Sequence, residues 1–226
     1  MRKRRALLIG ILLVLVGLVF AWDFSRGQNN GSSSSSQTQT STNSGNGTTS
    51  KAKKRAGKIL VVYFSRRQGV YNGPLKVGNT KRVADFIQKA TGADEYEIVP
   101  KKKYPRSYDR TTEVAQEEQE NNARPAIKNK LPNVAKYDTI FIGAPIWWSE
   151  YPMVVRTFLD KEQKDLANKT LVPFTTHQGS GLGNTEEQLK SQFPKAKVLS
   201  GFSVTGDDAA KAEPSVNRWL KRIGVK

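Results

Sequence analysis

Residues 57–226 of this 226-residue chain predict a doubly wound α/β fold: five parallel strands in the order 2-1-3-4-5, with helices on both faces. Three observations carry the expectation. From Lys58 onward, apolar runs of strand length alternate with amphipathic stretches of helix length. The first and third strand runs are apolar on both faces, as buried parallel strands are. The loops after the first, third and fourth runs are rich in glycine, hydroxyl and aromatic residues, and ligands of such sheets bind beyond the strand carboxyl ends.

Strand 1 is Ile59–Phe64, an unbroken β-branched and aromatic run. The helix after it spans Asn79–Ala90, with Val83, Ala84, Phe86, Ile87 and Ala90 on one face and Asn79 or Thr80 as cap. Strand 2 is Glu95–Val99, followed by a polar, Glu-rich helix over Ser107–Asn121. Strand 3 is Tyr137–Ile142, ending at Gly143, and Pro152 opens the helix Met153–Asp160. Strand 4, Thr170–Thr175, precedes a helix over Thr185–Phe193. Strand 5 is Val198–Val204, and the last helix lies between Ala209 and Ile223 with Pro214 early in it or at a break.

The first 56 residues read differently. Met1–Arg5 is basic, and Ala6–Trp22 is a 17-residue apolar run, about 25 Å long as a helix at about 1.5 Å per residue. The basic cluster stays inside under the positive-inside rule, which sends the rest of the chain outward. Retained, the segment (1–24) is a single-pass signal anchor; cleaved after Ala21, it is a signal peptide and the domain is secreted. Residues 25–56 are a linker, nearly all Ser, Thr, Gly, Asn and Gln up to residue 50, with a basic cluster from Lys51 to Arg55. Either way the domain 57–226 is exported.

The chain has 37 Lys and Arg against 20 Asp and Glu, and residues 1–56 hold nine of the basic residues and one acid. A net charge of +9 is therefore left for residues 57–226. Such a surface attracts polyanions, anionic lipid or an acidic envelope polymer among them. No nucleic-acid-binding motif accompanies it, so nucleic acid is not expected as a partner. The chain has no cysteine, which excludes disulfides, thiolate metal sites and thiol nucleophiles.

The chemistry concentrates in three loops. After strand 1 come Ser65-Arg66 and then Gly78-Asn79-Thr80 at a helix start, where hydroxyls and free N–H groups suit an anion or serve as a plain cap. No Gly-Lys-Ser/Thr follows, so this is not a Walker A loop. After strand 3, Gly143-Ala144-Pro145-Ile146-Trp147-Trp148 sets two indoles side by side, one to plug the core edge and one to cover a planar ligand. After strand 4, Thr175-Thr176-His177-Gln178-Gly179-Ser180-Gly181 allows close backbone approach to a ligand.

Together, V-V-Y-F-S…G-N-T, I-G-A-P-I-W-W and P-F-T-T-H-Q-G-S-G, in that order over residues 58–226, resemble the flavodoxin family. The segment Glu117–Pro125 also resembles part of one bacterial branch of it. The resemblance implies an FMN site. Ser65, Gly78, Asn79 and Thr80 would hold the phosphate, with Arg66, Arg67 or Lys76 in reach of it. Ala144, Pro145, Ile146, Trp147 and Trp148 would flank the flavin ring, while Thr176, His177, Gly179, Ser180 and Gly181 would meet its other edge. His177, the sole histidine, would favour the reduced cofactor if protonated. Eleven residues, Arg67–Val77, stand where the short family loop has one; they are expected to loop out, with Tyr71 able to fold over the site.

The function implied is electron transfer to a redox partner protein, or flavin-dependent reduction of small acceptors such as quinones, outside the cytoplasmic membrane. No catalytic acid or base and no metal site is expected. The alternative is a flavin-free binding module that uses its basic surface on anionic envelope polymers. A hydrolase is disfavoured, because no G-x-S-x-G elbow is present.

Overall fold

The computed structural model describes residues 57–226; the segments read as anchor or signal (1–24) and linker (25–56) lie outside the described residues. One parallel sheet forms the centre. Strands β1 (Ile59–Tyr63), β2 (Asp94–Glu97), β3 (Thr139–Pro145) and β4 (Thr170–His177) run in the order β2-β1-β3-β4. Beyond β4 the edge is shared by two short strands, β5 (Lys197–Val198) and β6 (Phe202–Thr205), both parallel to it. The expected strand order and layering hold.

Alternation along the strands explains why helices cover both faces. Leu60, Val62, Ile140, Ile142 and Leu171 point to one side, where α3 (Met153–Lys161) and α5 (Thr185–Gln192) bury Val154, Phe158, Leu159 and Leu189 on them. Val61, Phe141, Val172 and Phe174 point to the other, against Val83, Ala84 and Ile87 of α1 (Asn79–Thr91) and Val216, Trp219 and Leu220 of α6 (Glu213–Arg222). Helix α2 (Tyr108–Glu120) buries only Thr111 and Ala115, and the single turn α4 (Gln163–Leu166) follows α3.

The single fifth strand expected over Val198–Val204 is instead broken, and Pro173 of β4 is the reason. The edge ladder starts regularly, with Lys197 N–H donating to Lys169 O and Leu199 N–H to Leu171 O, both at 2.9 Å. The next donor in that ladder would be the nitrogen of residue 173, and proline has no N–H. Register therefore slips, from Leu171 opposite Val198 to Phe174 opposite Phe202, so the edge chain carries one extra residue. The freed groups find other partners: Trp219 Nε1–H donates to Ser200 O (2.9 Å) and Gly201 N–H to Glu186 Oε1 (2.8 Å).

Other boundaries differ for similar reasons of pairing. β2 begins and ends earlier than expected, at Asp94 and Glu97, after which Pro100 bridges Ile127 in antiparallel fashion. β3 and β4 run on to Pro145 and His177, because their ladder continues through Ala144–Thr175 and Pro145–Thr176. The last helix is divided into a 3₁₀ turn, Ala209–Lys211, and α6, with Pro214 in its first turn.

Candidate functional site

The carboxyl ends of β1, β3 and β4 open into a cavity of about 590 Å³, within the range of about 300–1,000 Å³ usual for small-molecule sites. One end is the start of α1. Lys81 N–H donates to Ser65 Oγ (3.1 Å) and Arg82 N–H to Gly78 O (3.1 Å). Among the described residues nothing accepts from the N–H groups of Asn79 and Thr80, which is the normal state of a helix first turn and one in which an anion can be bound. Thr80 is buried, and its hydroxyl lies 2.8 Å from that of Thr176 on β4. When Thr176 donates in this pair, the Thr80 proton is free for a cavity ligand.

Arg66 lines the same cavity. Its Nη2 donates to Pro105 O at 2.5 Å, and its guanidinium carbon lies 5.3 Å from the Tyr104 ring centroid and 6.0 Å from that of Trp147. Burial draws its pKa below the ordinary arginine value, though it remains a cation. Its Nη1 is buried with no hydrogen-bond partner.

The two tryptophans divide their roles. Trp147 is half-buried and meets Phe64 and Tyr104 edge to face, at centroid distances of 5.5 and 5.0 Å. Trp148 is half exposed, and its Nε1–H donates to Thr112 O at 3.1 Å. Trp148 and Ser149 sit at φ 50° and 68°, the centre of a tight turn closed by reciprocal Trp147–Glu150 hydrogen bonds. Left-handed backbone at a bulky residue costs on the order of 1–3 kcal/mol, and neighbours hold it there. Asn184 N–H donates to Ser149 O (2.7 Å), and Gly183, at φ 53°, packs so closely on that oxygen that a Cβ would overlap it.

His177 closes the third side. Its Nδ1 accepts the Gly179 N–H at 2.9 Å, which places the imidazole proton on Nε2. Partial burial lowers its pKa, so the neutral ring is favoured at pH 7, and the condition attached to it from the sequence, a protonated ring, is disfavoured. The folded value lies below the unfolded one, near 6.5. The resulting contribution to stability is therefore complete above about pH 6.5 and lost as pH falls through the folded pKa. Because the chain has one histidine, its ring-proton NMR titration is unambiguous. A midpoint below that of the urea-unfolded chain is expected; an equal or higher midpoint would contradict the burial of the ring.

Of the residues singled out from sequence, Arg66, Asn79, Thr80, Pro145, Ile146, Trp147, Trp148, Thr176, His177 and Ser180 line the cavity. Five do not. Ser65 caps α1, and Gly78 lies where a Cβ would overlap Ser65 Oγ and stand 2.6 Å from Arg66 O. Ala144 is fully buried in β3. Gly181 O accepts the Thr175 hydroxyl (2.8 Å), and Gly179, at φ 126°, supplies its N–H to His177. These five shape the loops behind the lining.

Of one wall, sequence reasoning brought only Tyr71 to the site. The Arg67–Val77 insertion does not loop out: Gly69, Val70, Tyr71, Asn72 and Leu75 line the cavity. Gly69 N–H donates to Arg106 O (2.8 Å) and Asn72 Nδ2 to Asp207 Oδ1 (3.0 Å), so the segment is tied on both sides of the opening. Beside it, α2 presents Tyr108, Thr111, Thr112 and Ala115, a spacing of 0, 3, 4 and 7 that puts them on one helical face.

The sequence profile of the flavodoxin family matches residues 58–223. A protein of Bacteroides eggerthii described as a flavoprotein is 34% identical, with 75% of this chain aligned to 99% of that one at a TM-score of 0.61. One from Bacteroides uniformis, described likewise, is 32% identical over 74% of this chain and 99% of its own, at 0.57. A Lactobacillus acidophilus flavoprotein solved in complex with FMN shares the fold at 20% identity, over 71% of this chain and 99% of its own, at 0.53. No curated protein matches the chain. Sheet order, cavity position and the profile match agree: this chain belongs to the flavodoxin family.

Proposed function

We propose that the cavity binds FMN and that the protein is an electron-transfer flavoprotein or a flavin-dependent reductase of small acceptors, quinones among them. One observation carries the reading: a single cavity joins the unpaired N–H groups of an α-helix to a strained, half-exposed tryptophan. The residues fit the group. Asn79 and Thr80 offer N–H groups to a phosphate at the positive end of α1. The unpartnered Nη1 of Arg66 is a buried donor that an anionic or carbonyl oxygen would satisfy. Trp148 offers an indole face, and neutral His177 one N–H, to a planar ring.

Bound FMN would supply the electron-transfer chemistry, and the protein supplies position and electrostatics. Pro145, Ile146 and Trp147 would form an apolar side that keeps water from the ring. Arg66, a cation in the cavity lining, would favour negative charge there and so the reduced cofactor. The reading places the domain outside the cytoplasmic membrane, on the strength of the basic-then-apolar segment Met1–Trp22. Protease treatment of intact cells tests that location: protection of the domain would refute it.

The cofactor reading is tested by adding FMN to the purified full chain and recording visible absorption and flavin fluorescence. Shifted bands and quenched emission are expected, with affinity reduced about tenfold in Trp148→Ala, the weight of one aromatic face. A colourless protein that leaves the FMN spectrum unchanged would remove the flavin and leave the basic surface as the functional element.

A further inference from the structure

The sheet has a second end, away from the cavity, and strand register decides what stands there. Ile59, Thr139, Thr170 and Lys197 lie opposite one another across β1, β3, β4 and β5, so these strands start in one line. At the usual strand spacing the line is about 14 Å long. Its ladder closes through Asp138 N–H to Lys58 O (2.9 Å), Thr170 N–H to Asp138 O (3.0 Å) and Lys197 N–H to Lys169 O (2.9 Å). A lysine stands at or just before the start of each strand: Lys58, Lys136, Lys169 and Lys197. Lys164 of α4 and Lys195, just ahead of β5, lie at the same end.

Among the described residues none of these lysines pairs with a carboxylate. All but Lys169 are exposed, and Lys169 Nζ donates to the Ala135 carbonyl at 3.2 Å. Two carboxylates of the same end are engaged within the fold. Asp138 Oδ2 accepts the Lys58 N–H (3.0 Å), and Asp94, which opens β2, accepts the Tyr137 hydroxyl (2.8 Å). The helix dipole that gathers cations at helix ends does not account for the line, because its lysines belong to strand starts and one-turn elements. Only Lys197 lies on a sheet margin, where a lysine also blocks strand pairing.

We propose that this end of the sheet rests on a membrane surface of anionic phospholipid, which turns the cavity at the opposite end away from the bilayer. The inference goes beyond the cofactor reading and rests on the membrane segment read in Met1–Trp22. Chain order supports the side chosen: Lys51, Lys53, Lys54 and Arg55 come directly before β1, so the segment that would tether the domain enters it at the lysine line. Each lysine near an anionic leaflet contributes about fivefold in affinity, and a tether keeps the local concentration of lipid high. Shape favours lipid over an acidic polymer. A polymer chain is gripped by a groove lined with cations, whereas the recess at this end has Asp138 and Asp165 in its lining beside Lys164 and Lys169. Headgroups in a plane need only cations in a plane, which even register supplies.

The test uses the full chain in nanodiscs of phosphatidylcholine, alone or mixed with phosphatidylglycerol, each carrying a headgroup quencher. The sequence has no cysteine, so Ala135→Cys and Glu187→Cys each give one fluorophore site, at the lysine end and on the helix that follows the cavity end of β4. Quenching of the Ala135 label is expected to be about twofold stronger on anionic than on neutral discs and to fall back in high salt, with the Glu187 label unchanged. Lys58→Gln, Lys136→Gln and Lys197→Gln combined are expected to remove that increment in a chain that circular dichroism reports as folded. Equal quenching on the two kinds of disc overturns the proposal, and so does an increment that the variant keeps. Binding of poly(glycerol phosphate) that the variant loses, with no response to anionic discs, also overturns it and gives the face to a polymer. A parent chain that does not enter neutral discs removes the membrane segment instead. Flotation with anionic vesicles then decides the face alone: affinity about a hundredfold lower in the variant supports it, and equal affinity overturns it.

Discussion

Trp219→Ala is expected to cost the domain about 3–5 kcal/mol, the usual penalty for deleting a large buried aromatic. Total stabilities run at about 5–15 kcal/mol, so much of the folded population would be lost on mild heating. Trp219 is 1% exposed and joins three parts of the fold. It stands edge-on to Phe141 of β3 (5.6 Å) and tilted against Phe202 of β6 (5.2 Å), and it donates Nε1–H to Ser200 O. That last contact holds the extra residue of the edge strand in place. Urea denaturation followed by circular dichroism measures the effect. Trp219→Phe keeps the ring contacts and loses the donor, and because Ser200 can turn to water its cost is only about 1 kcal/mol. An alanine variant that loses less than about 1 kcal/mol would mean that α6 is not part of the cooperative core.

Gly78→Val is expected to lower FMN affinity about a hundredfold in a protein that still folds. Conformation is not the obstacle, since Gly78 has φ −66° and ψ 145°, open to any residue. Space is. A side chain there meets Ser65 Oγ and the Arg66 backbone, which cannot move without leaving α1. Ser65 Oγ would then release the Lys81 N–H, and the Asn79 and Thr80 N–H groups would turn from the anion site. Hydrogen bonds to charged groups contribute about 1.5–3 kcal/mol each, and every 1.4 kcal/mol is about tenfold in affinity. Two such bonds give the hundredfold. Fluorescence titration with FMN at a temperature where circular dichroism reports a folded chain reads the loss. Affinity within threefold of the parent would take the phosphate away from this helix.

The parts of the fold legible in the sequence are those that one segment decides by itself. Ile59–Tyr63 and Thr139–Ile142 are strands because their residues are apolar on both faces, whatever lies beside them. The break in the edge strand was not legible, because its cause is in the neighbour: Val198–Val204 reads as continuous, and the missing donor is Pro173 of β4. Trp147 and Trp148 were found because they follow β3, Thr176 and His177 because they end β4, and Asn79 and Thr80 because they open the helix after β1, the places where such folds bind ligands. Tyr108, Thr111, Thr112 and Ala115 escaped because α2 is dominated by Glu and Gln, and small residues make a faint stripe. From the sequence the insertion loops out with Tyr71 able to fold over the site; that the segment packs on α2 shows only in the contact of Gly69 with Thr111.

The broken edge has a consequence for behaviour in a crowd. An exposed strand is a template on which another chain can add, and both margins of this sheet spoil the template. On one side β2 is four residues long and carries Asp94, Glu95 and Glu97, so a second copy pairing there would set carboxylate against carboxylate. On the other, the slip at Pro173 divides the margin into a two-residue and a four-residue piece with Leu199, Ser200 and Gly201 between them. Neither offers a long, flat row of unpaired amides. Copies of this domain can therefore be packed densely without polymerising through their sheets.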